Sequence, residues 1–189
     1  MRAFIAIELT QSIKDHLSKI QDELKPGLPK AGWVKPQNLH LTLKFLGDIS
    51  SHQLEEIKRI IAETSLEFTP FKIKLDDLGV FPGLRNARII WAGITQDALI
   101  KQLAGSLETK LAGIRIAEEK RGFSSHITMA RVKIPINPAV LERELGKAKN
   151  DLVYANLEFN AEGITLFESV LGPNGPAYTV LEKAKFRIT

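Results

Sequence analysis

The chain has 189 residues, 44% hydrophobic and 25% charged, with 26 basic against 22 acidic side chains and a formal net charge of +4. That balance fits a soluble globular protein able to bury a real core and excludes a disordered or fibrous chain. With no cysteine there is no disulfide framework, thiolate metal site or cysteine nucleophile. No apolar run approaches the length of a bilayer span, and MRAFIAIELT reads as a strand rather than a secretory signal. The default expectation is therefore a cytoplasmic protein, whose mild basic excess permits a polyanionic partner without demanding one.

In chain order, residues 2–9 read as a strand and 11–25 as a helix with Ile13, Leu17, Ile20 and Leu24 on one stripe. A strand follows at about 38–46. Ser50 with Gln53 forms a capping box for a helix burying Leu54, Ile57 and Ile61. Phe71, Ile73 and Leu75 then alternate with lysines in a strand over about 70–80. The order repeats: a strand at 87–94, a helix at 98–112 with Leu99, Leu103, Leu107 and Leu111 in a row, and a strand at about 123–133. Asn137 caps and Pro138 opens a helix to about 149. Strands near 156–168 and 177–187 close the chain, joined by the turn Gly172-Pro173-Asn174-Gly175-Pro176. The expected fold is α+β: one two-lobed domain over 1–189, duplicated as β-α-β-α-β halves of about 1–84 and 85–189. Pseudo-twofold packing would bring their antiparallel or mixed sheets together at a central cleft.

Two four-residue segments carry the chemistry: His40-Leu41-Thr42-Leu43 and His126-Ile127-Thr128-Met129, 86 residues apart. In a strand, residues i and i+2 share a face, so each segment points an imidazole and a hydroxyl one way and two aliphatics the other. Of four histidines, two lie in this pattern; His16 sits in a helical stretch and His52 begins another helix. Paired imidazoles are the equipment for moving protons at a phosphate ester, because they titrate near neutral pH. Neither segment holds an Asp or Glu as a third metal ligand, and threonine is a poor one. Nor is Thr42 or Thr128 placed with a base behind it to act as nucleophile.

Asn38-Leu39-His40-Leu41-Thr42-Leu43 with Phe45-Leu46-Gly47, and Phe123 ahead of Ser125-His126-Ile127-Thr128 with Arg131 behind, resemble the 2H phosphoesterase superfamily. The opening Phe-Ile-Ala-Ile strand, the doubled motif and the total length resemble its RNA 2′,3′-cyclic phosphodiesterase branch, once described as a 2′–5′ RNA ligase. The resemblance implies an enzyme that opens a 2′,3′-cyclic phosphate at an RNA end to leave a 2′-phosphomonoester, without metal or cofactor. It implies His40 as proton donor to the 3′-oxygen, His126 as proton acceptor from water, and Arg131 at the phosphate. Thr42 and Thr128 would donate hydrogen bonds to the non-bridging oxygens. The implied partner is RNA with a cyclic-phosphate end, tRNA halves included, bound by a monomer away from any membrane. A 2′–5′ ligase or a phosphodiesterase for small cyclic nucleotides would use the same residues. A non-catalytic binder of RNA ends would have no use for two histidines.

Strand parity sorts the neighbours. Lys44 shares a face with His40 and Thr42 and would add charge to the cleft. Arg131 and Phe45 lie five residues after their histidines, on the opposite face of a regular strand. Burying Arg131 would be costly, so the strand ends or a bulge re-aims it; the same rule would turn Phe45 inward as a base-stacking candidate. Phe123 is a second stacking candidate. Lys120-Arg121-Gly122 forms a basic lip. In the Phe81–Asn86 loop, Arg85, with Arg88 just beyond it, fits an ordinary hairpin better than a phosphate site. Trp33 and Trp91 are assigned to packing.

Overall fold

The computed structural model describes every residue except Lys120, Arg121, Asn174 and Thr189, together with the side chain of Tyr154. Among these residues nine strands and four α-helices follow in the order β1 (Arg2–Glu8), α1 (Gln11–Leu24), β2 (Ala31–Trp33), β3 (His40–Asp48), α2 (Ser51–Ser65), β4 (Phe71–Phe81), β5 (Ile89–Thr95), α3 (Ala98–Ala112), β6 (His126–Val132), α4 (Pro138–Tyr154), β7 (Glu158–Ala161), β8 (Gly163–Gly172) and β9 (Gly175–Lys185). The fold is α+β and every strand pair is antiparallel.

Local chemistry explains the helix starts. The Ser50 hydroxyl accepts from the Gln53 amide while the Gln53 side chain accepts from the Ser50 N–H, the expected capping box. Asn137 accepts from the Ala139 amide, with Pro138 supplying a preset φ at the first helical position. α4 runs on to Tyr154, past the expected end at 149, because Leu145, Ala148 and Leu152 continue its buried stripe. No helix is long and apolar enough to cross a membrane among the described residues.

The strands form one sheet in the order β7-β4-β5-β6-β3-β1-β8-β9, with β2 added beside β6. β7 and β8 are separated only by Glu162, yet lie at or near opposite ends of that order. So short a link cannot bridge a flat sheet of this width, because strands lie ~4.8 Å apart; the sheet must curl on itself. The expected single strand at 156–168 is therefore two, split where the chain changes sheet edge. At Gly163 a Cβ would come within 2.3 Å of the Ala184 carbonyl oxygen, so this crossing needs glycine.

The sheet has a narrow waist. β3 and β6 meet through the pair Leu41↔Ile127, with β1, β8 and β9 on one side and β5, β4 and β7 on the other. α2 packs against α3, β8 and β9, while α1 packs against α4 and α4 against β4. Each lobe thus carries one helix from either half of the sequence. Each also borrows two strands: β4 pairs with β5 and β2 with β6, while β8 pairs with β1 and β9 with β8. The halves of the sequence and the lobes of the sheet do not coincide. One continuous core, including Ile5, Leu41, Ile61, Ile90, Leu107 and Ile127, runs beneath both.

Candidate active site

The two motif strands lie side by side at the waist. Extending the Leu41↔Ile127 register by one residue either way sets Thr128 opposite His40 and His126 opposite Thr42. Facing residues have Cβ atoms ~5 Å apart and diagonal ones roughly 7–8 Å. Two histidines and two threonines thus occupy alternate corners of a quadrilateral the size of a phosphate group. Leu41, Leu43, Ile127 and Met129 are buried on the other face of the same strands.

Both strands carry a bulge just beyond the threonine. On β3, Ala6 pairs with Thr42 and Ile5 with Lys44, so Leu43 is the extra residue. On β6, Trp91 pairs with Thr128 and Ile90 with Ala130, so Met129 is extra. An extra residue in one strand reverses the alternation after it. Leu43 and Lys44 are consequently both buried, as are Met129 and Ala130, and Phe45 and Arg131 turn outward beside the histidines. Phe45 is 59% exposed.

The bulge also corrects the expectation for Lys44. Its side chain is only 5% exposed, and its ammonium donates to Glu108 Oε1 at 2.8 Å and to the Ala117 carbonyl at 2.7 Å. It is consumed by this pair and offers no free charge to a substrate.

The imidazoles are held alike. His40 Nδ1 donates to the Asn38 carbonyl at 2.7 Å and His126 Nδ1 to the Ser124 carbonyl at 2.8 Å. A carbonyl can only accept, so the proton of each neutral ring sits on Nδ1 and Nε2 keeps its lone pair. Their packing differs. His40 stacks on Phe4 at 4.7 Å between centroids and meets the edge of Tyr178 at 5.4 Å, with Phe167 at 6.3 Å. His126 touches the ring of Phe81 edge-on at 5.0 Å.

Burial pushes the His40 imidazole down to about 4, and nearby Lys14, Arg131 and His126 push the same way against the Asn38 carbonyl. His126 is also lowered by burial, opposed by the Ser124 carbonyl. Both rings are thus neutral in the free protein at neutral pH. Stability follows with a definite sign. Above pH 6.5 His40 is neutral whether folded or not and contributes nothing; below it the unfolded ring takes a proton that the folded ring refuses. Acidification from about pH 7.5 to about pH 4.5 should therefore cost the native protein about 3 kcal/mol through this residue. In urea unfolding at the two pH values, His40→Gln should lose that much less stability than the native protein; an equal loss in both would contradict the assignment.

Two grooves flank the quadrilateral. One, of about 430 Å³, opens onto His126 and runs between β3, α3, Glu119 and residues 122–124, with Phe123 and Phe45 among its walls. The other, of about 240 Å³, opens onto His40 and is lined by Thr42, Thr128, Arg131, Tyr178 and Phe45. Phe45 and Thr42 belong to both. Of the basic lip, Lys120 and Arg121 lie outside the described residues, as does Asn174 of the expected turn; Gly122 lines the larger groove. Arg85 and Arg88 line neither groove. Trp91 packs as expected, against Phe81 and over Gly79 and Gly93, where a Cβ would come within 2.3 and 2.9 Å of the indole. Trp33 both packs on the core and lines the smaller groove.

Three features escape the sequence reading. Tyr178 reaches His40 from a hairpin whose Pro176 carbonyl accepts from Asn38 Nδ2 at 2.8 Å. Phe4 lies under His40 from the adjacent strand. Gln21, 1% exposed on α1, donates to the carbonyls of Val34 and Met129, both at 2.9 Å, and so pins the bulge that presents Arg131. Only the polar interruption of an otherwise apolar helical stripe marks Gln21 in sequence. No group of three or more His, Cys, Asp or Glu able to hold a metal ion occurs among the described residues.

Residues 7–91 match the model of the LigT-like phosphoesterase family. The chain is 35% identical over 182 residues to the RNA 2′,3′-cyclic phosphodiesterase of Methanothermobacter thermautotrophicus, covering 96% of this chain and 97% of that protein. It belongs to the LigT-like phosphoesterase family. A relative of the same description from Aquifex aeolicus is 34% identical, over 97% of this chain and 96% of that protein. Among solved structures, a Thermus thermophilus protein superposes with a TM-score of 0.82 at 28% identity, covering 99% of this chain and 98% of that one. Escherichia coli LigT complexed with 3′-AMP gives 0.72 at 27% identity, covering 98% and 97%. The shared architecture is thus that of the LigT-like phosphoesterases, curled sheet included.

Proposed function

We propose that this phosphoesterase hydrolyses the 2′,3′-cyclic phosphate at an RNA 3′ end, leaving a 2′-phosphomonoester. The observation that carries this reading is the pair of imidazoles, each tied through Nδ1 and each leaving Nε2 for substrate, set across one phosphate-sized quadrilateral. The names of the full-length relatives favour the same substrate.

Water attacks phosphorus as the bond to the 3′-oxygen breaks. His126 Nε2 takes the proton from water, and protonated His40 gives one from Nε2 to the departing 3′-oxygen. Each transfer typically contributes ~10²–10⁴-fold. Burial keeps His40 neutral until an anion arrives; the bound phosphodiester places a negative charge beside the ring, so the proton is taken up with the substrate. Thr42 and Thr128 donate to the non-bridging oxygens as charge builds there. The Arg131 guanidinium suits the same oxygens, and Phe45 and Phe123 offer faces for bases. The scheme uses no metal or cofactor.

Incubating the protein with an oligonucleotide ending in a 2′,3′-cyclic phosphate tests this. The expected product is the 2′-phosphomonoester, formed at the same rate in excess chelator. A 3′-phosphomonoester, or no turnover, would overturn the reading.

A further inference from the structure

The two grooves beside the histidines differ in charge. In the larger groove, at His126, the cations among the described residues are neutralised: Lys44 pairs with Glu108 at 2.8 Å and Lys101 with Asp97 at 2.9 Å, while Glu119 adds a carboxylate. The smaller groove, at His40, is lined by Lys35, Arg131 and Lys133, and no carboxylate lines it among the described residues. None of these three cations makes an ion pair among the described residues. They converge from two segments because β2 pairs with β6, setting Gly32 against Arg131 and Trp33 against Ala130. Lys35 follows the end of β2 and Lys133 the end of β6, and both line this one groove. Three unpaired cations cost self-repulsion unless an anion joins them, and one cyclic phosphate held between the histidines leaves the two lysines unused.

We propose that Lys35 and Lys133 form a second phosphate subsite, which holds the RNA backbone on the 5′ side of the cyclic-phosphate nucleotide. The chain leaves the active site across the His40 groove, not across the His126 groove, whose described cations are already paired and whose Glu119 carboxylate would repel it. This rests on the cyclic phosphodiesterase reading above and adds a direction to it. The favoured substrate is a single-stranded oligonucleotide rather than a cyclic mononucleotide, and the excess affinity is electrostatic. For single strands, log affinity falls with log salt by roughly 0.7 per phosphate neutralised.

The test compares kcat/KM for a nucleoside 2′,3′-cyclic phosphate and for a trinucleotide with the same cyclic end, at several salt concentrations. The native protein should prefer the trinucleotide at low salt and lose that preference as salt rises. Lys35→Ala and Lys133→Ala should each lower the trinucleotide rate by about two- to fivefold and flatten the salt slope by roughly 0.7, with the mononucleotide rate unchanged. Lys101→Ala, on the opposite groove, should leave the preference intact. The proposal fails if the double lysine variant keeps the native preference and slope, or if Lys101→Ala erodes them equally. Failure of the underlying reading looks different: neither cyclic phosphate would be turned over by any of these proteins.

Discussion

Replacing either His40 or His126 by alanine is expected to lower turnover of a 2′,3′-cyclic phosphate end by ~10²–10⁴-fold. Each ring makes one hydrogen bond, to a carbonyl two residues back, which leaves Nε2 free, so the expected loss is that of a proton transfer. The double variant should be little slower than the worse single one, since groups that act as a unit are not additive. The two positions differ in structural cost. His40 fills a space among Phe4, Phe167 and Tyr178, so His40→Gln is the better probe there. His126 has Phe81 as its aromatic neighbour and should tolerate alanine. Single-turnover rates, with thermal unfolding as the check on folding, decide the matter. Near-native turnover by either variant would remove that histidine from the mechanism.

Glu108→Ala should destabilise the protein by about 3 kcal/mol, because it leaves the buried Lys44 ammonium with one carbonyl and no counter-charge. Lys44→Met, which removes the charge and fills the space, should cost under ~1 kcal/mol. The double variant should be more stable than Glu108→Ala alone. Denaturant unfolding of the three variants measures this directly, and a Glu108→Ala protein as stable as the native one would show that Lys44 finds solvent. The pair joins β3 to α3, so the loss should also loosen the wall of the His126 groove.

Much of this is legible in the sequence because it is written at short range. The His-x-Thr-x pattern places its side chains on one face at a spacing of two, and the Ser50–Gln53 and Asn137–Pro138 caps act within a single turn. The limits are equally physical. Period-two alternation assumes an unbroken ladder, so it assigns Lys44 to the cleft and requires a special device for Arg131. The bulges lie in β3 and β6, but they are set by the register against β1 and β5 and cannot be seen in β3 or β6 alone. β2 has three residues, too few for a periodic signal. Lys44 finds Glu108 64 residues away, and Gln21 reaches Met129 across 108, distances over which no local pattern operates. The borrowing of β4 and β8 between lobes likewise depends on how the sheet curls.

That borrowing sets the order in which the protein can become competent. On the His126 side, β4, β5 and β6 neighbour one another and are consecutive strands in the chain, so they can associate while later residues are still being made. On the His40 side, β1 must wait for β8: Ala3 pairs with Glu168, across nearly the whole polypeptide. Closing so long a loop is slow. His126 thus lies among strands that follow one another in the chain, whereas His40 meets Phe4 early but acquires Phe167 and Tyr178 only when β8 and β9 arrive. The two sides of the waist therefore differ in contact order, and the His40 side is expected to form last.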